Sequence, residues 1–253
     1  MEDNNQRYLI EIAYLGANYH GWQIQENAVT VQQLIDSALS ALLRSEIKTL
    51  GCGRTDTGVH AKQLFAHFDC PLIENQKYEQ ILKGANAILP NDIVIKRIFP
   101  VSNSFHARFD AISRSYEYHV HFQKNPFLNG FSWQVRDVPN VENMNEAAKI
   151  MMEYQDFSCF SKAHTQVLTN NCEIYSAKWK LLNGEQLVFY ISANRFLRNM
   201  VRAIVGTLIE IGQGKKTVES IRTTIESKNR SVAGMSVPAC GLYLTEVKYP
   251  DLK

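Results

Sequence analysis

A chain of 253 residues, 45% apolar and 21% charged, has the length of one large domain or two ordinary ones and can bury a core without staples. Its five cysteines are odd in number and none are spaced C-x-x-C, which argues against a disulfide framework or a thiolate metal site and for reduced thiols in a reducing cytosol. The net charge of +2 neither points to nucleic acid nor rules it out, since segregated charges can still build a basic face.

The opening Met1-Glu2-Asp3-Asn4-Asn5-Gln6 is polar and acidic, unlike a signal peptide. No run of about 18 apolar residues exists, so no membrane helix is expected. Tyr8 to Tyr14 alternates apolar and polar and predicts a strand, followed by a polar loop over 16–27. Thr30 with Gln33 three residues on suggests a capping box. Val31, Leu34, Ile35, Ala38, Leu39 and Leu42 then recur at helical spacing. A short strand at 48–51 leads into a turn over Gly53 to Gly58, and Leu64 to Phe68 is a strand. Tyr78 to Ile88 predicts a helix ended by Pro90, and Ile93 to Phe99 a β-branched strand. This β-α-β-β-α-β order is that of a ferredoxin-like unit, whose sheet leaves one face open to RNA.

A boundary falls near 100–105, giving domains 1–103 and 104–253. The second half predicts strands at 115–122, 177–182 and 187–192, the last two joined by a turn at Asn183-Gly184. Helices are expected at 141–152, 196–211 and 218–227, a mobile polar loop at 161–171, and a closing strand at 241–249. The second half looks similar to the first but less regular, so the expected fold class is α+β: two ferredoxin-like halves with antiparallel sheets.

The densest chemistry lies in Gly51-Cys52-Gly53-Arg54-Thr55-Asp56-Thr57-Gly58-Val59-His60-Ala61. Glycines on both sides let the backbone turn sharply and hold one carboxylate beside an arginine and a histidine. The plain alternative is an Asx-type turn in which Asp56 serves only its own backbone. Gly53-Arg54-Thr55-Asp56-Thr57-Gly58-Val59-His60 resembles the signature of the TruA family of tRNA pseudouridine synthases. Tyr14 through Gly16 to Gly21-Trp22-Gln23, Val31-Gln32, Phe105-His106-Ala107-Arg108-Phe109, Arg114-Ser115-Tyr116-Glu117-Tyr118, Asn199-Met200-Val201-Arg202 with Ile204-Val205-Gly206, and Gly241-Leu242-Tyr243-Leu244 resemble further family stretches, in the family's order. Position 52 is cysteine where close relatives often have a smaller residue.

The resemblance implies Asp56 as the catalytic aspartate, Tyr116 as the substrate-contacting tyrosine, Arg202 as the arginine that pairs with the aspartate, and Leu242 as an apolar pocket wall. Arg54 would also bind substrate. It implies that the two halves flank a basic active-site cleft holding Asp56, in a cytoplasmic homodimer that modifies uridines 38, 39 and 40 in the anticodon stem-loop of tRNA. Such an isomerisation needs no redox cofactor, nucleotide or metal. It needs an ionised nucleophile, whose covalent step has three open routes: attack at C1′, addition to the base, or elimination through a glycal. A facing arginine offsets the burial that disfavours a charged carboxylate. Arg195, Arg198 and Arg202, spaced three and four apart, would share one helix face and reach phosphates, with Phe196, Met200, Ile204 and Leu208 packed inward. Tyr116 and Tyr118 point the same way from one strand, either into a core or, for Tyr116, onto a flipped uracil.

His60, His106, His119 and His121 show no convincing metal-ligand spacing. Asp56-Thr57-Gly58 also fits an aspartic protease, but that class pairs two aspartates and no second D-T-G exists. A non-catalytic RNA-binding module would lack a use for the Asp56 loop, and the RRM core motif is absent. A glycoside hydrolase would need a second carboxylate that no motif supplies.

Overall fold

The alternation that begins at Tyr8 is the middle of strand β1 (Asn5–Tyr14), in a computed structural model that describes residues 5–162, 168–250 and 252. The chain divides into two compact units, Met1–Ile112 with Leu244–Lys253, and Ser113–Tyr243, where the sequence suggested 1–103 and 104–253. Of the polar opening segment, residues 1–4 lie outside the described residues, as do 163–167 of the expected polar loop.

In the first unit β1 lies between β3 (His60–Pro71) and β4 (Ile93–Pro100), antiparallel to both, and β2 (Leu50–Gly51) pairs antiparallel with β3. Strand β9 (Leu242–Lys248), whose residues from Leu244 on belong to this unit, lies beside β3. Helix α1 (Val31–Leu43) starts where the sequence signals it: Gln33 N donates to the Thr30 hydroxyl at 3.4 Å. Its apolar stripe buries Val31, Ile35 and Leu39, each side chain contributing about 1.5–3 kcal/mol. Helix α2 (Tyr78–Ile88) ends as Leu89 turns extended ahead of Pro90, and Asn86 ties it to β4 by exchanging two 2.8 Å bonds with the Ile95 backbone.

The sheet's helix-bearing face carries Tyr8, whose ring meets Tyr78 of α2 edge-on at 6.1 Å. The opposite face is not open, contrary to the expectation. Leu9, Glu11, Phe65 and His67 on that face are all buried. Tyr249 packs on both Phe65 and Phe105 at ring distances of 5.5 and 5.1 Å, and Ala107 N donates to His67 Nδ1 at 3.1 Å. The segment after β4 thus closes over the sheet, which is why the first unit continues to residue 112.

In the second unit β8 (Gln186–Ala193) lies between β5 (Ser113–His121) and β7 (Ile174–Leu182), antiparallel to both. Asn183 and Gly184 link β7 to β8 with φ of 51° and 71°, the left-handed pair their identities favour. A two-residue strand, β6 (Trp133–Gln134), pairs parallel with β5 and was not expected. Helix α3 (Val141–Met151) is capped by the Asn140 side chain, which accepts from Asn143 N at 3.0 Å. Helices α4 (Met200–Gly212) and α5 (Ser220–Glu226) follow.

Helix α4 begins four residues later than its apolar spacing predicts. Asn199 sits at φ 67°, a left-handed conformation that no helix continues through, so Phe196, Leu197 and Arg198 are non-helical. Arg195 and Arg198 therefore do not share a helix face with Arg202. Met200, Ile204 and Leu208 are buried as expected, while Phe196 leaves the stripe.

Candidate active site

Asp56 stands half-buried at the crest of a loop whose shoulders are deeply anchored. On one side Cys52 N donates to Phe65 O at 2.7 Å. On the other, His60 is buried and its Nδ1 accepts from Gly16 N at 3.0 Å. Between them Thr55 is also buried: its hydroxyl shares a 2.8 Å hydrogen bond with the Tyr14 hydroxyl, and its carbonyl accepts from Trp22 N at 3.2 Å. Val59 N donates to Asp56 O at 3.1 Å, closing a turn in which Gly58 takes φ 79°. Gly16 passes so near that a Cβ there would stand 1.9 Å from Val59 O. Trp22 stacks on Tyr14 beneath the loop at 6.4 Å. This packing fixes the Asp56 backbone while Arg54 and Thr57 remain exposed.

The other predicted residues belong to the second unit. Tyr116 lies half-buried in β5 with the Phe196 ring edge-on at 5.1 Å, so displacement of Phe196 from the helix places it against the tyrosine. Tyr118, two residues on, is the core member of the pair: it is fully buried and its hydroxyl donates to Pro238 O at 2.8 Å. Burial pushes that hydroxyl well above its ordinary range, so it remains protonated and a donor. Leu242 is buried at the start of β9. Arg195 is half-buried and Arg198 exposed.

Arg202 is gripped twice by one residue. Its Nε donates to Val237 O at 2.6 Å, and its carbonyl accepts from Val237 N at 3.3 Å. The segment 230–238, which carried no sequence signal, thus fixes where the guanidinium starts. It straps across α4 at Gly206, where a Cβ would stand 1.9 Å from Met235 O. Gly234 N donates to the Thr207 hydroxyl at 2.8 Å, and Arg230 braces the strap through Gly234 O and the Ser236 hydroxyl at 2.9 and 2.7 Å. The one available clue was a glycine inside a helix, a mark of close backbone approach.

Among the described residues no group of three or more His, Cys, Asp or Glu could hold a metal ion, and no helix is long and apolar enough to cross a membrane. His119 lies 3.0 Å from Glu117 Oε2 and packs on Tyr243 at 4.9 Å; His121 is buried, which lowers its basicity.

Residues 147–250 match a family model described as tRNA pseudouridine synthase. The protein from Azobacteroides pseudotrichonymphae named tRNA pseudouridine synthase A is 49% identical over 97% of this chain and 97% of its own length. Its namesake from Porphyromonas gingivalis is 49% identical over 97% and 98%, and that from Anoxybacillus flavithermus 40% over 97% and 100%. With likeness of this extent running end to end, the chain belongs to the tRNA pseudouridine synthase family.

Proposed function

We propose that the protein isomerises uridine to pseudouridine at positions 38, 39 and 40 in the anticodon stem-loop of tRNA, with Asp56 as nucleophile. The observation that carries this reading is the likeness, over 97% of the chain, to proteins named tRNA pseudouridine synthase A. The anchored loop supports the choice of residue: a nucleophile gains from a backbone that does not move, and Asp56 is the carboxylate at the crest.

The reaction breaks the bond from N1 to C1′, turns the uracil, joins C5 to C1′ and releases the C5 proton while N1 takes one up, leaving composition unchanged. Arg202 supplies the cation that an ionised nucleophile requires, its stem oriented by Val237. Tyr116 stacks on the uracil, its own ring held edge-on by Phe196, and Leu242 forms an apolar wall. Arg54 binds substrate, and Arg195 and Arg198 contact RNA phosphates from an irregular segment rather than a helix face. The protein works as a cytoplasmic homodimer without metal or cofactor. Each half is ferredoxin-like; the strand order β4-β1-β3 with β2 beyond β3 in the first unit, and β5-β8-β7 in the second, supports this.

Carbodiimide mapping of tRNA treated with the purified protein tests the reading. New pseudouridine at 38, 39 or 40 is expected. Unmodified tRNA at saturating protein would overturn it.

A further inference from the structure

The stretch Phe105-His106-Ala107-Arg108-Phe109 has no part in the chemistry proposed above, yet its backbone is bonded at nearly every residue. Ala107 is fully buried; its N–H donates to His67 Nδ1 at 3.1 Å and its carbonyl accepts from the Tyr249 hydroxyl at 2.6 Å. Arg7 donates to Phe105 O at 2.8 Å while its other arm is locked in a two-pronged pair with Asp69, both bonds 2.7 Å. A turn follows, closed in both directions: His106 N donates to Asp110 Oδ2 at 2.8 Å and Asp110 N to His106 O at 3.0 Å. The N–H groups of Arg108 and Phe109 both point at His106 Nδ1, at 3.1 and 3.2 Å.

All this order serves to hold out one ring. Phe109 is 73% exposed. The His106 ring backs it at 4.2 Å and 31°, and the exposed Arg108 places its guanidinium 5.6 Å from the ring centre. A solvated aromatic ring gains nothing from burial, and ordering it costs side-chain entropy. Its chain neighbours Arg108 and Asp110 are exposed and polar, and the ring behind it is that of a histidine. One flat ring edged by a cation is what an unpaired nucleobase and its phosphate require, because stacking accepts any base and the guanidinium meets the backbone.

We propose that Phe109 and Arg108 form a stacking platform for an unpaired base of the RNA substrate, separate from the Asp56 loop. The inference rests on the reading of the protein as acting on tRNA. The carboxylate of Asp110 is turned back into the loop, where its Oδ2 accepts from the His106 N–H.

The test compares Phe109→Leu, which keeps apolar bulk and loses the π-face, with Phe109→Tyr, which keeps both. Steady-state pseudouridine formation and filter binding of tRNA are measured at one salt concentration. Loss of one base stack raises KM and Kd about 5- to 100-fold in Phe109→Leu, with kcat and melting temperature unchanged, whereas Phe109→Tyr stays within about twofold of wild type. Arg108→Ala lowers the slope of log affinity against log salt by about one. An unaltered KM in Phe109→Leu overturns the platform. So does a KM that rises only with a drop in melting temperature, which makes the ring structural, or a change confined to self-association, which makes it a protein contact. Wild-type protein that forms no pseudouridine fails before any variant is made, and that failure belongs to the underlying reading.

Discussion

The loop that carries Asp56 and the stretch that leads to Arg202 do comparable work by opposite means. The first is held by residues that announce themselves: Gly16, Thr55, Gly58 and His60 all lie in or beside the recognised motifs, even though Thr55 and His60 bond Tyr14 and Gly16, 41 and 44 positions back. The second takes its shape from residues 35 and 37 positions on, in a segment that carried no sequence signal. Asn199 is turned left-handed and donates to the Ser236 hydroxyl, and Arg202 is gripped by Val237. Both regions thus rest on distant partners, but those of the loop lie in stretches that a motif marks, whereas the strap that fixes the start of the helix and its aim lies in a stretch that none marks.

Close-approach glycines probe that contrast with the largest expected effects. Gly16→Ala forces a methyl group against Val59 O, and Gly206→Ala forces one against Met235 O. Each overpacked contact costs roughly 1–3 kcal/mol or more. In Gly16→Ala the harm should fall mainly on turnover, because the displaced backbone is the Asp56 loop itself. In Gly206→Ala it should fall first on the melting temperature, because the strap packs on a buried helix. Melting curves and turnover on the same preparations check this; equal proportions of loss in both variants would erase the distinction.

Asn199 gives a test whose sign decides. With Asn199 held left-handed, Asn199→Ala costs about 1–2 kcal/mol and Asn199→Gly less. If the helix instead ran from Phe196, as its apolar spacing suggests, alanine would stabilise it and glycine would not. Denaturant unfolding of the two variants separates these outcomes.

A smaller, pH-dependent effect belongs to the first region alone. Asp36 of α1 is buried and accepts from Thr49 N and the Thr49 hydroxyl at 3.0 and 2.6 Å, just before β2 enters the Asp56 loop. Burial, partly offset by those bonds, pushes its carboxyl up to about 6. The folded protein therefore holds the proton more tightly than the unfolded chain does. That contribution is full below about pH 4 and is lost as pH rises through about 6. Asp36→Asn removes the titration, so its melting temperature relative to wild type should climb by several degrees between pH 4 and pH 7. A constant difference across that range would show that Asp36 does not titrate in this window.

The sequence made the local features of the fold legible and left the distant ones hidden. Helix α2 spans the predicted 78–88, α1 differs by one residue, and Asn183-Gly184 forms the turn its identity demands. Strand β3 is longer than its apolar core at 64–68 because ladder pairing with β1 runs from Ala61 to Pro71. The cover over Leu9 and His67, the strap at Gly206 and the late start of α4 all depend on partners far along the chain, and neither periodicity nor capping reports these. For the site, the glycines around Asp56 mark a sharp turn, and the motif likeness singles out the residue. The three-arginine face fails because helical spacing was assumed across a residue that breaks the helix.

The most direct test of the account is a single-turnover measurement on Asp56→Asn with saturating tRNA. Tritium release from C5-labelled uridine is followed beside tRNA binding and a melting curve. The account predicts that turnover is abolished while binding and melting stay close to wild type, because the amide keeps the shape of the loop and loses only the nucleophile. Turnover within about tenfold of wild type would contradict it and remove Asp56 from the chemistry.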